Sequence, residues 1–597
     1  MSNDLGLDRS GNENHWAVNN ISYADQMLDS PTNNFNVNNP LDEDYASNRV
    51  FSEGNLKVDS PTTNHGNTRG TIGMNSGKWY MEWNVPTATD GNKAVWSGVC
   101  ASNNDLTAFR SVNQWNNHAS NGNSIVRDQA VEDWNDSGVD AGTIWQVAVD
   151  MDNKKIWLGE NNVWWGSSGH ATNGNPSTAA NPTATFSDSD IPDGNLYSYT
   201  GGYDLEIISN YGQDSSFAGT KTAQGNQDSG GVGDFFYTPP SGFKALCTQN
   251  LPDVDVVPSE NFNTVLWTGN DTERTISGVG FQPDFTWIRN REIVTNHLLF
   301  DAVRGATNSL RSDATNAESA GNSDELLSFA SDGFVIGTGE DVNGNAEGIV
   351  SWNWKANGTG SSNTSGTITT TVSANVDAGF SIITYSGNRS ANQTIGHGLS
   401  KAPEMYIIKN RTKAGGYFWH VQHKDLTIAG AGGVNQVLRL NSTNAAADDW
   451  EAPIGATASV INLTDSANSD ATNGTEPMLA YAWHSVDGYS KVGSYTGNGS
   501  ADGPFVYTGF RPAFVLTKVI NAADDWSIAD YARSPHNVAG ESLRPNSSSA
   551  EDSAADIDIL SNGFKVRQAD SHRINYDADT FIYLAFAETP FKYSNAR

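Results

Sequence analysis

The sequence predicts an all-β protein, in which a β-sandwich is followed by three related β-domains in tandem. Short alternating apolar stretches such as Lys78–Trp83 and Ile144–Asp150 are typical of strands, and turns rich in Gly, Asn and Asp separate them. An aromatic–Ser/Thr–Gly–Asn motif occurs at Trp267–Asn270, Tyr385–Asn388 and Tyr495–Asn498, at steps of roughly 110 to 120 residues. A chain of 597 residues is long enough for several such domains.

The chain is strongly acidic but not highly charged. Its 68 acidic and 35 basic residues give a net charge of -33, although only 17% of residues are charged and 10% are aromatic. Such a field repels phosphate and anionic lipid, so we expect neither nucleic acid nor membrane insertion. No stretch approaches the ~20 apolar residues of a membrane span. Met1–Asp4 does not begin an export signal, so we expect a chain made in a cytoplasm.

Two cysteines, Cys100 and Cys247, are too few for a disulfide framework in a chain of this length. They are interpreted as two small buried hydrophobic residues, or alternatively as a pair or a reactive thiol.

Residues 1–49 are rich in Asn and Asp and contain isolated apolar residues, including Trp16 and Phe35. This N-terminal arm is either an extended segment held against the next domain by its aromatic residues, or an attachment segment that inserts into a larger assembly. The sequence leaves both interpretations open.

Residues 50–253 contain only strand signals and predict the β-sandwich. Ile144–Asp150 and Lys155–Leu158 flank Met151–Asn153, which is typical of a hairpin turn. Strand alternation predicts that Lys78 lies outside the sandwich. The same alternation predicts an interior position for four apolar residues: Trp79, Val147, Val149 and Phe243.

Four segments in this region, in the same order, resemble SPRY-type concanavalin-like sandwiches: Gly77–Trp83, Ile144–Leu158, Asn210–Gln213 with Phe217, and Pro239–Leu246. Tyr211 departs from the phenylalanine of that family, and the polar loop 170–187 is longer than usual. The resemblance implies a module that binds partners through its loops and carries no catalytic residues.

A second resemblance covers nearly the whole chain. Asp8–Trp16 and Met27–Asn33 resemble the segment that precedes this sandwich in tail-fibre and virion proteins of marine bacteriophages. The first repeat is similar to a β-domain of the same proteins through Phe281–Phe285, Asp301–Gly305, Asp332–Phe334 and Trp352–Trp354. The third repeat keeps the Asp-x-x-Arg step as Asp530–Arg533, whereas the second lacks it. The resemblance implies a virion structural protein.

The three repeats are predicted at 254–360, 361–486 and 487–597, with Trp267, Tyr385 and Tyr495 at equivalent positions. The connections between repeats are short; only Val486–Gly488 separates the second from the third. Short connections place neighbouring domains in contact, so we expect a serial rod of three domains.

Tryptophans in polar loops are the candidate ligand-binding residues. Trp115, Trp134, Trp164 and Trp165 are flanked by Asn, Asp or Gly, and Trp450 and Trp526 each follow two aspartates. Carbohydrate is bound by such combinations, with an aromatic face for the C–H groups and amides and carboxylates for the hydroxyls. Alternatively, these rings cap their own sandwich or contact a neighbouring subunit.

The remaining polar motifs do not predict a reaction centre. Asp301 with Arg304, and Asp530 with Arg533, are interpreted as salt bridges that close a turn, or as a repeated binding pair. The acidic clusters do not reproduce a calcium loop, and no nucleophile elbow or phosphate-binding loop is present. We therefore predict no catalytic residue, no metal and no cofactor.

These observations predict a bacteriophage virion structural protein, a tail fibre or appendage subunit that contacts the host cell surface. Its expected partners are other virion proteins through the arm, further copies of itself and a host surface glycan. A head decoration or minor capsid-associated protein without a receptor role is the first alternative. A surface-polysaccharide depolymerase is the second, but it would require a parallel β-helix with repeats of ~20 to 25 residues, or a carboxylate cleft.

Overall fold

The computed structural model describes residues 6–8, 11–19, 27–30, 32–43, 49–60, 66–87, 94–106, 113–119, 123–127, 130–135, 140–167, 171–428, 435–464, 467 and 469–593, without the side chains of 119, 123–127 and 130–135. The chain forms two compact units, Met1–Pro252 and Asp253–Arg597. Both consist of β-sheets, which confirms the predicted all-β class. Helical structure in the described part is limited to α1 (Glu340–Asn343) and short 3-10 turns, and no helix there is long and apolar enough to cross a membrane.

The first unit is a sandwich of two sheets. Its strands, in chain order, are β1 (Asn38–Glu43), β2 (Val50–Ser52), β3 (Lys57–Asp59), β4 (Gly66–Met74), β5 (Lys78–Val85), β6 (Ala94–Ala101), β7 (Gln114–Ala119), β8 (Asn123–Arg127), β9 (Ala130–Asn135), β10 (Thr143–Asp150), β11 (Lys155–Glu160), β12 (Val163–Trp164), β13 (Ala184–Thr185), β14 (Leu196–Tyr203), β15 (Glu206–Asn210) and β16 (Lys244–Ala245). One sheet has the order β1-β4-β14-β6-β7-β8-β9. The other has the order β12-β11-β10-β5-β15-β3-β2, with β13 beside β11 and β16 beside β5.

The predicted hairpin is present, since β10 and β11 pair antiparallel from Trp145 opposite Glu160 to Asp150 opposite Lys155. The turn is stabilised by the Asp150 carboxylate, which accepts the N–H of Asn153 at 3.0 Å. Lys154 completes it with a φ of 55°, in the left-handed region.

The sandwich interior lies between β5 and β10 of one sheet and the strands of the other. Trp79 pairs with Val149, and both are buried together with Val147, as predicted. On the same face, Trp83 donates its indole N–H to Thr200 on β14, at 2.9 Å. Lys78 is only half-buried, and its amine lies 3.0 Å from Asp150.

The predicted position of Phe243 is wrong in one respect. Phe243 is fully buried, but it packs with Tyr80 and Trp157, whose positions alternate with those of Trp79 and Ile156. It therefore lies on the opposite face of this sheet from Trp79, where the amine of Lys78 is 5.7 Å from its ring. Both faces of the sheet are buried, so strand alternation alone could not assign Phe243 to one of them.

The N-terminal arm contacts this sandwich from Leu28, whose backbone N–H donates to the carbonyl of Gln213 at 3.2 Å. Phe35 is buried with Phe243, and β1 pairs with β4. In contrast, the side chain of Trp16 is 80% exposed. The arm thus combines a segment held by an aromatic residue with an exposed aromatic side chain nearer the N-terminus.

The second unit contains the three repeats. The first comprises β17 (Phe262–Thr268), β18 (Arg274–Ser277), β19 (Phe285–Asn290), β20 (Leu298–Asp301), β21 (Leu310–Arg311), β22 (Leu326–Ala330), β23 (Gly333–Ile336) and β24 (Gly348–Trp354). The second comprises β25 (Ser361–Asn363), β26 (Thr370–Asn375), β27 (Phe380–Ser386), β28 (Thr394–Gly396), β29 (Met405–Asn410), β30 (His420–His423), β31 (Gln436–Arg439), β32 (Ala447–Asp448), β33 (Val460–Asn462) and β34 (Pro477–Trp483). The third comprises β35 (Ser490–Thr496), β36 (Phe505–Tyr507), β37 (Phe510–Val519), β38 (Ser527–Asp530), β39 (Ile557–Leu560), β40 (Gly563–Val566) and β41 (Thr580–Pro590).

Each repeat has a main sheet and a small sheet. The main sheets are β17-β24-β19-β20-β21, β25-β26-β27-β34-β29-β30-β31-β32 and β35-β41-β37-β38. The small sheets are β18-β23-β22, β28-β33 and β36-β40-β39. Trp267, Tyr385 and Tyr495 lie at equivalent positions, as predicted, on strands that pair with β24, β34 and β41.

The main sheets share one core. Their inner faces contribute to a single cluster, which contains Phe285, Trp352 and Trp354 from repeat 1, Met405, Ile407 and Tyr481 from repeat 2, and Phe514, Leu516 and Phe586 from repeat 3. The outer faces pack in three separate cores with the small sheets. Phe262 of repeat 1 contacts Phe514 of repeat 3, with ring centroids 5.7 Å apart. The expected serial rod is therefore wrong: repeats 1 and 3 contact each other as well as repeat 2, and the repeats form a closed ring.

Candidate functional site

The recurring aromatic motif makes the same set of hydrogen bonds in every repeat, and we call this set a lock. Its ring donates a hydrogen bond to a backbone carbonyl next to a buried asparagine, through Trp267 Nε1 to Val342 (3.1 Å), Tyr385 Oη to Thr472 (2.6 Å) and Tyr495 Oη to Ile574 (2.8 Å). The glycine that follows allows close approach, since a Cβ at Gly387 would lie 2.4 Å from the backbone of Asn473. The motif is thus a structural element of the fold.

Three fully buried asparagines complete these locks: Asn343, Asn473 and Asn575. Each accepts the backbone N–H of the motif asparagine, at 3.1, 3.0 and 3.0 Å. Sequence analysis missed them because they follow that residue by 73, 85 and 77 positions, which is not a fixed period. The signal that could have found them is an Asn before the last strand of each repeat.

A buried cation marks each contact between repeats. Arg289, Lys409 and Lys518 occupy the same position on β19, β29 and β37, and all are 0% exposed. Each donates to backbone carbonyls of the neighbouring repeat: Arg289 to Ser548 and Ser549, Lys409 to Thr315, and Lys518 to Thr443. Burial lowers the pKa of Arg289 to about 10, and the pKa of Lys409 and of Lys518 to about 8.

The predicted Asp–Arg pairs also lie between repeats. Asp301 and Arg304 are fully buried as a pair, and Tyr481 of repeat 2 donates its hydroxyl to Asp301 at 2.8 Å. Asp530 and Arg533 form the same pair, with the indole N–H of Trp352 of repeat 1 donating to Asp530 at 2.9 Å. These contacts favour the salt-bridge interpretation over the repeated binding pair, because both pairs are enclosed by a neighbouring repeat.

Two glutamates extend these pairs into networks. Glu318 accepts from Arg304 of its own repeat and from Arg411 of repeat 2, at 2.8 and 2.6 Å. Glu551 accepts from Arg533 of its own repeat and from Arg291 of repeat 1, both at 2.6 Å. Because these groups bind one another across repeats, they hold the ring together. Among the described residues, no group of three or more His, Cys, Asp or Glu side chains could hold a metal ion.

The first unit contains one buried carboxylate that sequence analysis missed. Glu82 is 0% exposed on β5, and it accepts the backbone N–H groups of Phe236 and Tyr237, both at 2.8 Å. The Tyr80 hydroxyl also donates to it, at 2.8 Å. Burial raises the pKa of Glu82 to about 7. Its donors are consistent with a structural role, in which Glu82 holds the 234–237 segment on the sheet.

The cysteines are both buried and not joined in a disulfide, as the first interpretation predicts. Burial raises the pKa of the Cys100 thiol to about 12, so this thiol remains protonated at neutral pH.

The candidate tryptophans do not form one exposed surface. Trp115 is only 3% exposed on β7, and its ring centroid lies 5.8 Å from that of Phe186. Trp164 is half-buried with its ring edge-on to Tyr80 at 6.2 Å, and Trp165 is half-buried. Trp134 is on β9, but its side chain lies outside the described part. The expectation that Trp115 offers a free face is wrong, because strand β7 turns this ring inward although its sequence neighbours are polar.

The two tryptophans that follow paired aspartates differ from each other. Trp526 is 1% exposed and donates its indole N–H to the backbone carbonyl of Arg439 at 3.1 Å, so it belongs to the core that the three repeats share. Trp450 is 60% exposed. The loop around Trp450 is fixed by its neighbours, since Asp449 binds Arg439 at 3.1 Å and Thr464 donates to the Trp450 carbonyl at 2.6 Å. A fixed backbone therefore presents the Trp450 ring to solvent.

Comparison with known proteins gives one family and a likeness in part of the chain. The family described as Domain of unknown function (DUF7483) matches residues 257–590, which include all three repeats. The SPRY domain of human HERC1 is similar at 16% identity and a TM-score of 0.22, over 29% of this chain and 96% of that domain. The PSpry domain of TRIM65 is similar at 10% identity and a TM-score of 0.21, over 29% of this chain and 91% of that domain. No curated protein matches the chain.

Proposed function

Because the chain belongs to the DUF7483 family, which carries no assigned activity, we propose its role from its architecture and surface: a bacteriophage virion structural protein, a tail fibre subunit that contacts the host cell surface. The observation that carries this proposal is the use of buried charge in the second unit. The Asp–Arg pairs, the glutamates and the interior cations are bound between repeats, where they hold the three repeats in one body, as a structural role requires.

The resemblance of the arm and the first repeat to marine bacteriophage virion proteins supports the same role. The arm also offers a contact to another virion protein, because Trp16 is 80% exposed. Aromatic residues such as tryptophan are enriched in the cores of protein–protein interfaces.

Trp450 is the proposed contact to a host surface glycan. Its ring is 60% exposed, and the exposed carboxylate of Asp448 lies two residues before it. Stacking a sugar on one Trp face contributes ~1 kcal/mol beyond burial, so a single site is weak. Several copies on one appendage would raise the effective affinity by ~10²- to 10⁴-fold.

The location is tested by gold labelling of a tag added at the C-terminus, followed by imaging of intact virions. We expect the label on the tail. A label on the head would support the head-decoration alternative, and its absence from purified virions would remove the virion role.

The glycan contact is tested by adsorption of virions that carry Trp450→Ala. We expect the adsorption rate to fall ~10-fold or more, because every copy loses its aromatic face. Val294→Ala is the matched control, since Val294 is 75% exposed in the same unit and should leave adsorption unchanged. Unchanged adsorption of the Trp450→Ala virions would exclude this contact.

A further inference from the structure

The three contacts between repeats are built on one plan. We call them seam 1–2, seam 2–3 and seam 3–1. In each, a backbone N–H donates to the carbonyl that follows β19, β29 or β37 of the neighbour: Glu318 to Arg411 (2.7 Å), Ala446 to Ile520 (2.7 Å) and Glu551 to Arg291 (2.8 Å). The seams can therefore be compared position by position.

Seams 1–2 and 3–1 place the same four charged residues at these positions. Seam 1–2 contains Asp301, Arg304, Glu318 and Arg411, and seam 3–1 contains Asp530, Arg533, Glu551 and Arg291. Burial alone would raise the pKa of Glu318. The guanidinium groups of Arg411 and Arg304 nevertheless hold this pKa below its ordinary value. The Glu318 carboxylate of seam 1–2 therefore stays ionised in mild acid.

Seam 2–3 replaces all four charges. His423 is the last residue of β30, opposite Met405, as Asp301 is opposite Phe285 and Asp530 opposite Phe514. Leu426 stands three residues later, in the place of the arginine. Ala446 and Ile520 replace the glutamate and the second arginine, and both pack against the shared apolar core. The second repeat thus lacks the Asp-x-x-Arg step because its seam with repeat 3 is built from different side chains.

We propose that seam 2–3 is an acid-sensitive joint, at which protonation of His423 separates repeats 2 and 3 while the ionic seam 1–2 remains closed.

The geometry around His423 explains why a proton is not accommodated there. Its ring is 1% exposed, and Nδ1 accepts the backbone N–H of Asp425 at 3.1 Å. Protonation of Nδ1 would place two N–H groups against each other, so the ring or the turn must move.

The charged groups that face His423 stabilise its protonated form only in part. On its own turn, Asp425 lies 3.7 Å from Nδ1 and is already paired with Lys424 at 3.0 Å. Repeat 3 presents the backbone of Tyr583, and Leu584 stands where Trp352 and Tyr481 stand in the other repeats. Burial lowers the pKa of His423 from 6.5 to about 4.

The sign of the pH effect follows from the lowered pKa of His423. A histidine with a folded pKa below its unfolded pKa stabilises the closed state fully above the unfolded value, here 6.5. That stability is lost as pH falls from 6.5 through about 4. Between pH 7 and pH 5 the opening equilibrium of seam 2–3 should increase about 20-fold by this linkage.

The matched amides provide the test in the full-length protein. We would measure hydrogen exchange at the N–H of Glu318 and Ala446 at pH 7 and pH 5, corrected for the intrinsic exchange rate. The expected result is a loss of protection of about 20-fold at Ala446, with less than about 3-fold at Glu318. An equal change at the two amides would overturn the proposal without any variant.

Two substitutions test whether the effect belongs to the imidazole of His423. His423→Asn keeps an acceptor for the Asp425 N–H but does not titrate, so the pH response of Ala446 should disappear. His484→Asn is the matched control, because His484 is buried in the same repeat and burial also lowers its pKa. A pH response that persists in His423→Asn, or that disappears in His484→Asn, would overturn the assignment to His423.

Discussion

At the scale of single residues, burial of polar groups dominates the properties of this protein. Glu82 and Asn575 each bind backbone groups of a segment that is distant in sequence, and each satisfies several backbone groups that water would otherwise solvate. A buried polar group costs little when every partner is present, and costs much when one is removed.

The Glu82 carboxyl should give the first unit a specific pH dependence. Its folded pKa of about 7 exceeds the model-peptide value of 4.5, so its contribution is complete below pH 4.5 and is lost as pH rises through about 7. The change amounts to at most about 3 kcal/mol. Glu82→Gln should flatten the pH dependence of the free energy of unfolding over this range, measured by urea denaturation beside the wild type. Identical slopes for wild type and Glu82→Gln would refute this.

The buried asparagines should be essential to their locks. Asn575 accepts the N–H of Asn498 at 3.0 Å and donates to the carbonyls of Ser500 and Gln568, at 2.6 and 2.7 Å. Asn575→Ala leaves these backbone groups without a partner, so we expect a loss of about 3 kcal/mol in the free energy of unfolding. Asn444→Ala, at an exposed position, should change it by less than about 0.5 kcal/mol. A loss below about 1 kcal/mol at Asn575 would contradict the lock.

At the scale of elements, strand positions could be predicted because alternation is local. The hairpin of β10 and β11 and the equivalence of β17, β27 and β35 followed from it. The face of the sheet on which a single side chain lies could be predicted less well. Trp115 has polar sequence neighbours yet is buried on β7, and Phe243 lies on the opposite face from Trp79. Both depend on what covers a sheet, which is a long-range property.

The buried Asp–Arg corner between β20 and β21 should tolerate loss of both charges better than loss of one. Arg304→Met leaves the Asp301 carboxylate buried without its cation, and we expect a loss of about 3 to 5 kcal/mol. The double variant Asp301→Asn with Arg304→Met should recover part of it. Arg389→Met is the control, because Arg389 is 40% exposed in its pair with Asp470 and should cost less than about 1 kcal/mol. Equal losses for Arg304→Met and Arg389→Met, by denaturant unfolding, would disprove the argument.

At the scale of the whole molecule, the repeats could be recognised from sequence but their closure could not. Short connections fit a rod and a ring equally well. The informative feature was present in β19, where Phe285 and Trp287 face the shared core while Ile288 faces the core of repeat 1. A strand that is apolar on both faces requires two covers. One cover is the repeat's own small sheet, and the other is supplied only by the two remaining repeats.

Closure leads to the prediction that separates a ring from a serial array. Removal of repeat 3, residues 487–597, would expose the inner faces of both remaining main sheets, including Phe262 and Trp354, which pack on Phe586 at 5.0 and 5.6 Å. In a serial array, each remaining repeat keeps most of its contacts and unfolds cooperatively. In the ring, the truncated chain should lose the cooperative transition of the second unit and should aggregate. Differential scanning calorimetry measures this, with the transition of the first unit, Met1–Pro252, as the internal control. A truncated chain that keeps a cooperative transition of the second unit within a few degrees of the original would show that the shared core is not required.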